Sequence, residues 1–522
     1  MSWRRARGTR PLLSDGPPHA RWRLVAAIAA TATILGTLGW FWYASLVPST
    51  YSVMGMGYAD FGGGPAGSHA AHGDHDGWDG PPPQPGDVSV ADLTGPQDGV
   101  PDVAVTLTAA RGRFRLGTGE QIDGYTLNGS SPGPEIRATQ GDLVEVTLVN
   151  ESVPDGATLH WHGIDVPNAE DGVAGVTQDA VPVGGTKVYR FLAEDTGTYW
   201  YHSHQVSHEQ VKRGLFGVIV IEPPDGSEAG LPDAVAAVHS YSGRRTISGR
   251  TGTQTVETEP GETKRVRVVN TDNGPLRAWV TNSPFRVLAV DGRDVNEPTS
   301  MEDRLLVVTA GGRLDLEVTA PADGSPARLD VGGGTALLFA PQEAPAGAAP
   351  RPPTKRLDLL SYGTPTDIGF DPERADRRFD YRVGRRLGFI DGMPGFWWSI
   401  NGHLFPDVPM FVVAEDDIVQ MTISNSSGDV HPMHLHGHHA VVVSRDGVAA
   451  TGSPWWVDSL NVEDDETYVL AFVADNPGIW MDHCHNLDHA ADGLVAHLAY
   501  TGVSEPFRVG KSVGGGADNE PE

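Results

Sequence analysis

The sequence predicts an all-β protein of several sandwich or barrel domains, preceded by one apolar helix. Three observations predict it: short alternating strand patterns broken by turn residues, a long internal repeat, and an amino-terminal stretch without a charge. The 522 residues include 65 glycines and 40 prolines, which favours turns and short strands over long helices. At the usual domain size this length holds about three or four domains. Charged residues make up 20%, too few for wholesale disorder.

The first element is the apolar helix. Residues 1–23 carry Arg4, Arg5, Arg7, Arg10, Arg21 and Arg23 against the single acid Asp15, and read as a cytoplasmic basic terminus. Leu24 to Val47 is uncharged and ends in the cluster Trp40, Phe41, Trp42, Tyr43. That length crosses a bilayer, and the aromatics suit its interface. The basic flank keeps the amino terminus in the cytoplasm and puts the following chain outside. A single-pass anchor in the cell membrane is favoured over a cleaved signal peptide. The apolar region is long, and no small-x-small cleavage site follows Val47.

Residues 48–100 read as a Gly/Pro/His linker, with GGG at 62–64 and PPPQP at 81–85. Its His69, His72 and His75 read as a solvated polar tract, with a flexible copper or zinc collector as the alternative.

The β body follows. Val144-Glu145-Val146-Thr147-Leu148 alternates with period two, as do Val266-Arg267-Val268 and Leu314-Asp315-Leu316-Glu317-Val318. Turn signals every eight to twelve residues or so belong to sandwiches and barrels rather than βαβ units. NGSSPGPEIRATQGDLVEVTLVNES followed by LHWHG near the front matches NGHLFPDVPMFVVAEDDIVQMTISNSS followed by HPMHLHG near the end. GTYWYHSH then matches GIWMDHCH in the same order. Two homologous domains result, 101–225 and 370–505. Between them, 226–350 has its own strand pattern without paired histidines and reads as a third β domain, without metal ligands. A Pro/Ala-rich linker, 351–369, leads into the last domain, and 506–522 reads as a disordered tail.

A net charge of −29 argues against nucleic acid as a partner. The balance is more acidic still once the basic terminus is set aside. One cysteine excludes an intramolecular disulfide, a four-thiolate zinc site and an all-cysteine iron–sulfur cluster. Against it stand 20 histidines, fourteen of them grouped in four patches that each contain an H-x-H. In a strand, residues i and i+2 point to one face, so each H-x-H offers two imidazoles side by side. Four such pairs at matching places in a repeat point to one polynuclear site between the homologous domains. Cys484 lies between His483 and His485 and points the opposite way. Two histidines and one thiolate with a weak or absent axial ligand describe a blue-copper site. Zinc, being redox-inert, has no use for a cysteine that links two sets of ligands.

These motifs resemble those of the multicopper oxidases, the family of laccases, bilirubin oxidases and cuprous oxidases, over about residues 101–505. The resemblance implies three cupredoxin-like Greek-key domains, with type 1 copper in the last and a three-copper cluster between first and last. It implies four coppers per chain. His431, Cys484 and His489 hold type 1 copper, with the non-coordinating Leu494 at the axial position. His160 and His434 hold type 2. His162, His202, His204, His436, His483 and His485 hold the type 3 pair. It also implies an electron path from Cys484 through His483 and His485, and a proton-delivering acid at Asp171. The usual Glu after the last type 1 histidine is Ala490 here, which leaves Asp488 or Asp492 to substitute. Asp458 resembles a common family position.

The expected activity couples one-electron oxidation of a phenol-like donor to four-electron reduction of O2 to water. Nine methionines without a cluster do not favour copper detoxification. Trp455 and Trp456 are candidates to border a cleft for an organic donor, or to be core. The alternatives are a metal-ion oxidase for Cu(I), Fe(II) or Mn(II), and a non-catalytic copper-binding or copper-delivery protein.

Overall fold

Three successive β bodies begin in the same way: a first strand runs parallel to a partner three strands later. Val103–Arg115 pairs in parallel with Leu143–Asn150. Asp233–Tyr241 does so with Thr263–Asn270, and Arg377–Ile390 with Ile418–Asn425. The computed structural model in which this is seen describes residues 18–64, 78–80, 82–117, 119–226, 231–342, 347–511 and 516–522. The middle body, which the histidine repeat does not mark, shares this opening. The protein comprises three cupredoxin-like Greek-key domains preceded by an apolar helix.

In the first domain a sheet of Gln121–Leu127, Val103–Arg115, Leu143–Asn150 and Thr186–Leu192 packs on one of Ile136–Thr139, Phe216–Glu222, Gly197–His202 and His160–His162. Val144, Val146 and Leu148 alternate inward and are wholly buried, packed with Trp161, Tyr189 and Phe191. This is the period-two pattern turned into a core. The middle domain stacks a six-stranded sheet on a five-stranded one around Val266, Val268, Leu316 and Phe339. The last domain stacks a six-stranded sheet on a seven-stranded one around Phe411, Val419, Trp480 and Leu498.

The helix runs Pro18–Ala44, and its Arg21–Ala44 portion is long and apolar enough to cross a membrane. A signal sequence near the amino terminus has the same character. Of the described residues, 18–47 form one compact unit with 387–396, and the others form the second. Inside the smaller unit, the Gly392 N–H donates to Ser45 Oγ and the Val47 N–H to Asp391 Oδ1.

Two expectations need correction. Residues 48–100 are not simply a linker. Tyr58–Asp60 joins the last domain in parallel beside Pro409–Val413, and Val88–Ser89 pairs with Val503–Ser504. Glycines and prolines punctuate the segment, but the short runs between them complete exposed sheet edges. His69, His72 and His75 lie outside the described residues. Residues 506–511 and 516–522 of the expected disordered tail are held in place as well. Val509–Gly510 pairs with Thr50–Tyr51, and Asn519 exchanges backbone hydrogen bonds of 2.7 and 2.8 Å with Gly510. Its small and acidic residues lack a core of their own but find partners on the first domain.

Candidate metal centre

The two homologous domains place their histidines by one rule of register. In the first, His160 stands directly across from His202 on antiparallel strands. In the last, His434 stands across from His483 in the same way. The alternation of strand side chains then divides the third-domain residues. His431, Met433 and Cys484 face that domain's interior, while His434, His436, His483 and His485 face the first domain.

Eight histidines thereby form one cluster, each at most 1% exposed: His160, His162, His202, His204, His434, His436, His483 and His485. The Nε2 atoms of His160 and His434 lie 3.4 Å apart, and those of His436 and His483 lie 3.3 Å apart. His204, His436 and His483 converge their ring nitrogens, and so do His160, His162 and His202. His485 closes the remaining side, its ring centre 4.9 Å from His162 and 5.5 Å from His202.

Carboxylates and carbonyls set the tautomers. His160 and His436 both turn Nδ1 to the Asp171 carboxylate, at 3.0 and 3.1 Å. His434 Nδ1–H donates to the Asp458 carbonyl at 2.8 Å. In each case Nε2 keeps its lone pair for the centre of the cluster. His162 is reversed: Nε2 contacts Asp458 Oδ1 and Ser459 Oγ, and Nδ1 is bare.

The cluster also holds buried ring nitrogens with no hydrogen-bond partner. They are Nδ1 of His162, Nε2 of His202, and both nitrogens of His204 and His485, while His483 Nδ1 faces a carboxylate oxygen of Glu522 at 3.2 Å. Each such atom costs on the order of 1–3 kcal/mol if nothing fills the space it faces. Burial, reinforced by neighbouring rings, holds His162, His202, His434, His436 and His483 well below the usual imidazole range. His204 and His485 fall to about 3. Neutral imidazoles with inward lone pairs fit a group of metal ions and little else.

A second, smaller set lies on the other face of the same strand. Cys484 Sγ is 3.5 Å from His431 Nδ1 and 3.8 Å from His489 Nδ1, and the two nitrogens are 3.2 Å apart. His431 Nε2 bonds Ser427 Oγ at 2.8 Å, and His489 Nε2 faces the Asn486 amide at 3.1 Å. Trp398 lies against both rings, at 4.7 and 4.3 Å. Leu494, wholly buried, is fixed by its carbonyl accepting from the Cys484 N–H and its N–H donating to His489 O. Burial pushes the Cys484 thiol up, so a metal must displace its proton. One thiolate and two imidazoles match a copper site.

All eleven ligands expected from the sequence fall into these two sets, and Asp171 lies among them. Asp488 is exposed and paired with Lys212 at 2.5 Å, and Asp492 is exposed beside His489. Trp455 and Trp456 pack with Tyr468 and Phe370. The middle domain's share was not foreseen, because it has no paired histidine to mark it. Gly311 (φ +82°) lies so close to His162 and His485 that a Cβ would sit 2.7 and 3.1 Å from their rings. Arg313, wholly buried, clamps both oxygens of Asp458 at 2.8 and 2.6 Å. Exchanging Arg313 for Met would leave that carboxylate buried and unpaired. Thermal or denaturant unfolding should then show a loss of about 3–5 kcal/mol.

The fold and the two ligand sets define a copper-dependent oxidoreductase of cupredoxin architecture. Two family models, both described as multicopper oxidase, match residues 109–226 and 378–502. The multicopper oxidase MmcO of Mycobacterium tuberculosis is 27% identical over 79% of this chain and 90% of its own length. Laccase-1 of Botryotinia fuckeliana is 27% identical over 70% of this chain and 77% of its own. The solved multi-copper oxidase of Pseudomonas thermotolerans superposes with a TM-score of 0.64 at 27% identity, covering 76% of this chain and 99% of that one. This chain's first and last domains match the multicopper oxidase family, and copper is its cofactor.

Proposed function

We propose that the protein takes single electrons from a small donor at the Cys484 set and uses four of them to reduce one O2, with four protons, to two waters at the eight-histidine cluster. The observation that carries this reading is the division of one short run: Cys484 belongs to one ligand set, its neighbours His483 and His485 to the other. In this reading His431, Cys484 and His489 hold type 1 copper beside Leu494. His160 and His434 hold type 2. His162, His202 and His485 hold one type 3 ion, and His204, His436 and His483 the other, giving four coppers per chain.

Bound copper supplies reversible one-electron chemistry at the first set and O2 reduction at the second. The chain's own residues supply the rest. Cys484 connects the two sets through covalent bonds. His489 is the half-exposed ligand and thus the side from which a donor approaches. Asp171, touching His160 and His436, is the acid we assign to proton delivery. Leu494 gives no donor to an oxidised metal, which favours the reduced state and a high potential.

The donor class is read from charge. Asp429, Asp488 and Asp492 act on His489, and Asp429 and Asp464 on His431. Arg385, over Trp398, and Lys212, on Asp488, offset only part of this. A cationic donor, a reduced metal ion first, therefore suits the approach better than an anionic one. A phenol-like donor is the second reading, supported by the likeness to a laccase and by the lack of a methionine cluster. O2 uptake with Fe(II), Cu(I) and a phenol, run in parallel, tests this. Asp429→Asn with Asp464→Asn should raise KM for the metal ion several-fold and leave kcat, as should added salt. Inertness toward all three donors would return the copper-delivery alternative.

We also propose that the apolar helix is a retained anchor, with the β domains on the extracytoplasmic side. Its length and basic flank support this. Membrane-fraction protein should then keep residues 1–47 by mass.

A further inference from the structure

Residues 516–522 form a strap that crosses the first domain and ends inside the metal centre. Asn519 Oδ1 accepts from the Ala180 N–H, and Asn519 Nδ2 donates to Asp179 Oδ1, both at 2.8 Å. Gln205 holds the next turn twice, donating to Asp518 O at 2.7 Å and accepting from the Glu520 N–H at 2.9 Å. The Val206 N–H then donates to Glu520 O at 2.5 Å. Val206 adopts φ +46°, a left-handed conformation that a β-branched side chain resists. That strained residue both presents its N–H to the strap and starts the short helix Ser207–Gln210, which packs on Leu487–Ala491.

The strap delivers one carboxylate. Glu522 is half-buried, its Oε2 accepting from Ser207 Oγ at 2.8 Å and its Oε1 lying 3.2 Å from His483 Nδ1. The Pro521 backbone lies against His204. Two members of the His204–His436–His483 set are therefore touched by the strap, and the third, His436, is held by Asp171. His483 turns Nε2 to the cluster, so its Nδ1–H has only Glu522 to meet.

We propose that Glu522 is a positioning residue of this centre. Its carboxylate receives His483 Nδ1–H and fixes the ring with its lone pair inward, as Asp171 does for His436. The helix carrying Ala490 has no acid on this side, and the strap brings one from far along the chain. This proposal rests on the assignment of His483 as a ligand, given above.

The test measures copper affinity of the cluster in the full chain against a competing chelator, alongside the near-ultraviolet band of the coupled pair and the blue band. Glu522→Ala should weaken the cluster about 10–100-fold and leave the blue band in place. Glu522→Gln, which keeps an acceptor oxygen, should restore most of the affinity. If Glu522→Ala also loses the blue band, Ser207→Ala decides, since it frees the carboxylate without emptying the site. It should give the same loss in weaker form, and native affinity there would overturn the proposal. His483→Ala separates the two layers of argument. Native affinity in His483→Ala refutes the ligand assignment. Loss there, with native affinity in Glu522→Ala, refutes the role of Glu522 alone.

Discussion

Cys484→Ser should abolish the blue absorption and O2 reduction together, with turnover falling by on the order of a thousandfold or more. The hydroxyl that replaces the thiol is a hard, weakly acidic donor and does not provide the soft thiolate that the His431–His489 pair completes. The loss should stop at that set. Five of the eight cluster histidines, His160, His162, His202, His434 and His436, are held by Asp171, Asp458 and Ser203, none of which touches Cys484. Copper analysis should therefore show only the blue ion missing. Retained turnover with a normal KM would sink the proposed electron path.

Asp171→Asn comes second, with a loss of about 10–100-fold in cluster affinity or turnover. Asp171 faces two Nδ1–H groups at once, from His160 and His436. An amide offers one acceptor oxygen where the carboxylate offers two, and His160 keeps the Asp171 carbonyl at 3.0 Å, so His436 is the ring left to turn. The site is 1% exposed and no solvent compensates. The rings of His160 and His436 stack at 3.9 Å, so a turn in one disturbs the other. The blue band should persist, because the residues around Cys484 are separate. An unchanged O2-reduction rate would show that Asp171 neither orients these ligands nor delivers protons.

Much of this was legible in the residues. A strand's period of two is short enough to read locally, so each H-x-H announces two imidazoles on one face, and Cys484 announces the opposite face. The repeat then said that two domains meet at those faces. The partners of the ligands were not legible. Arg313 and Gly311 come from the middle domain, more than a hundred residues from the strands they serve. Ser427 and Asn486 are ordinary polar residues in a sequence rich in them. The strap looked like a tail because its composition of small and acidic residues resembles that of a solvated end.

The sequence by itself determined the fold class and, through its resemblance to a known family, pointed to copper and to eleven candidate ligands, because strand alternation and ligand chemistry are local properties. Only the tertiary structure decided how the cluster histidines divide, which nitrogen each turns inward, and which acids hold them. Those depend on register between strands and on contacts among three domains, where one carboxylate can serve two rings. The middle domain, silent as a ligand source, holds Asp458 through Arg313. Residues 516–522 gain their order from the surface they cross: seven residues cannot bury enough of themselves to fold alone.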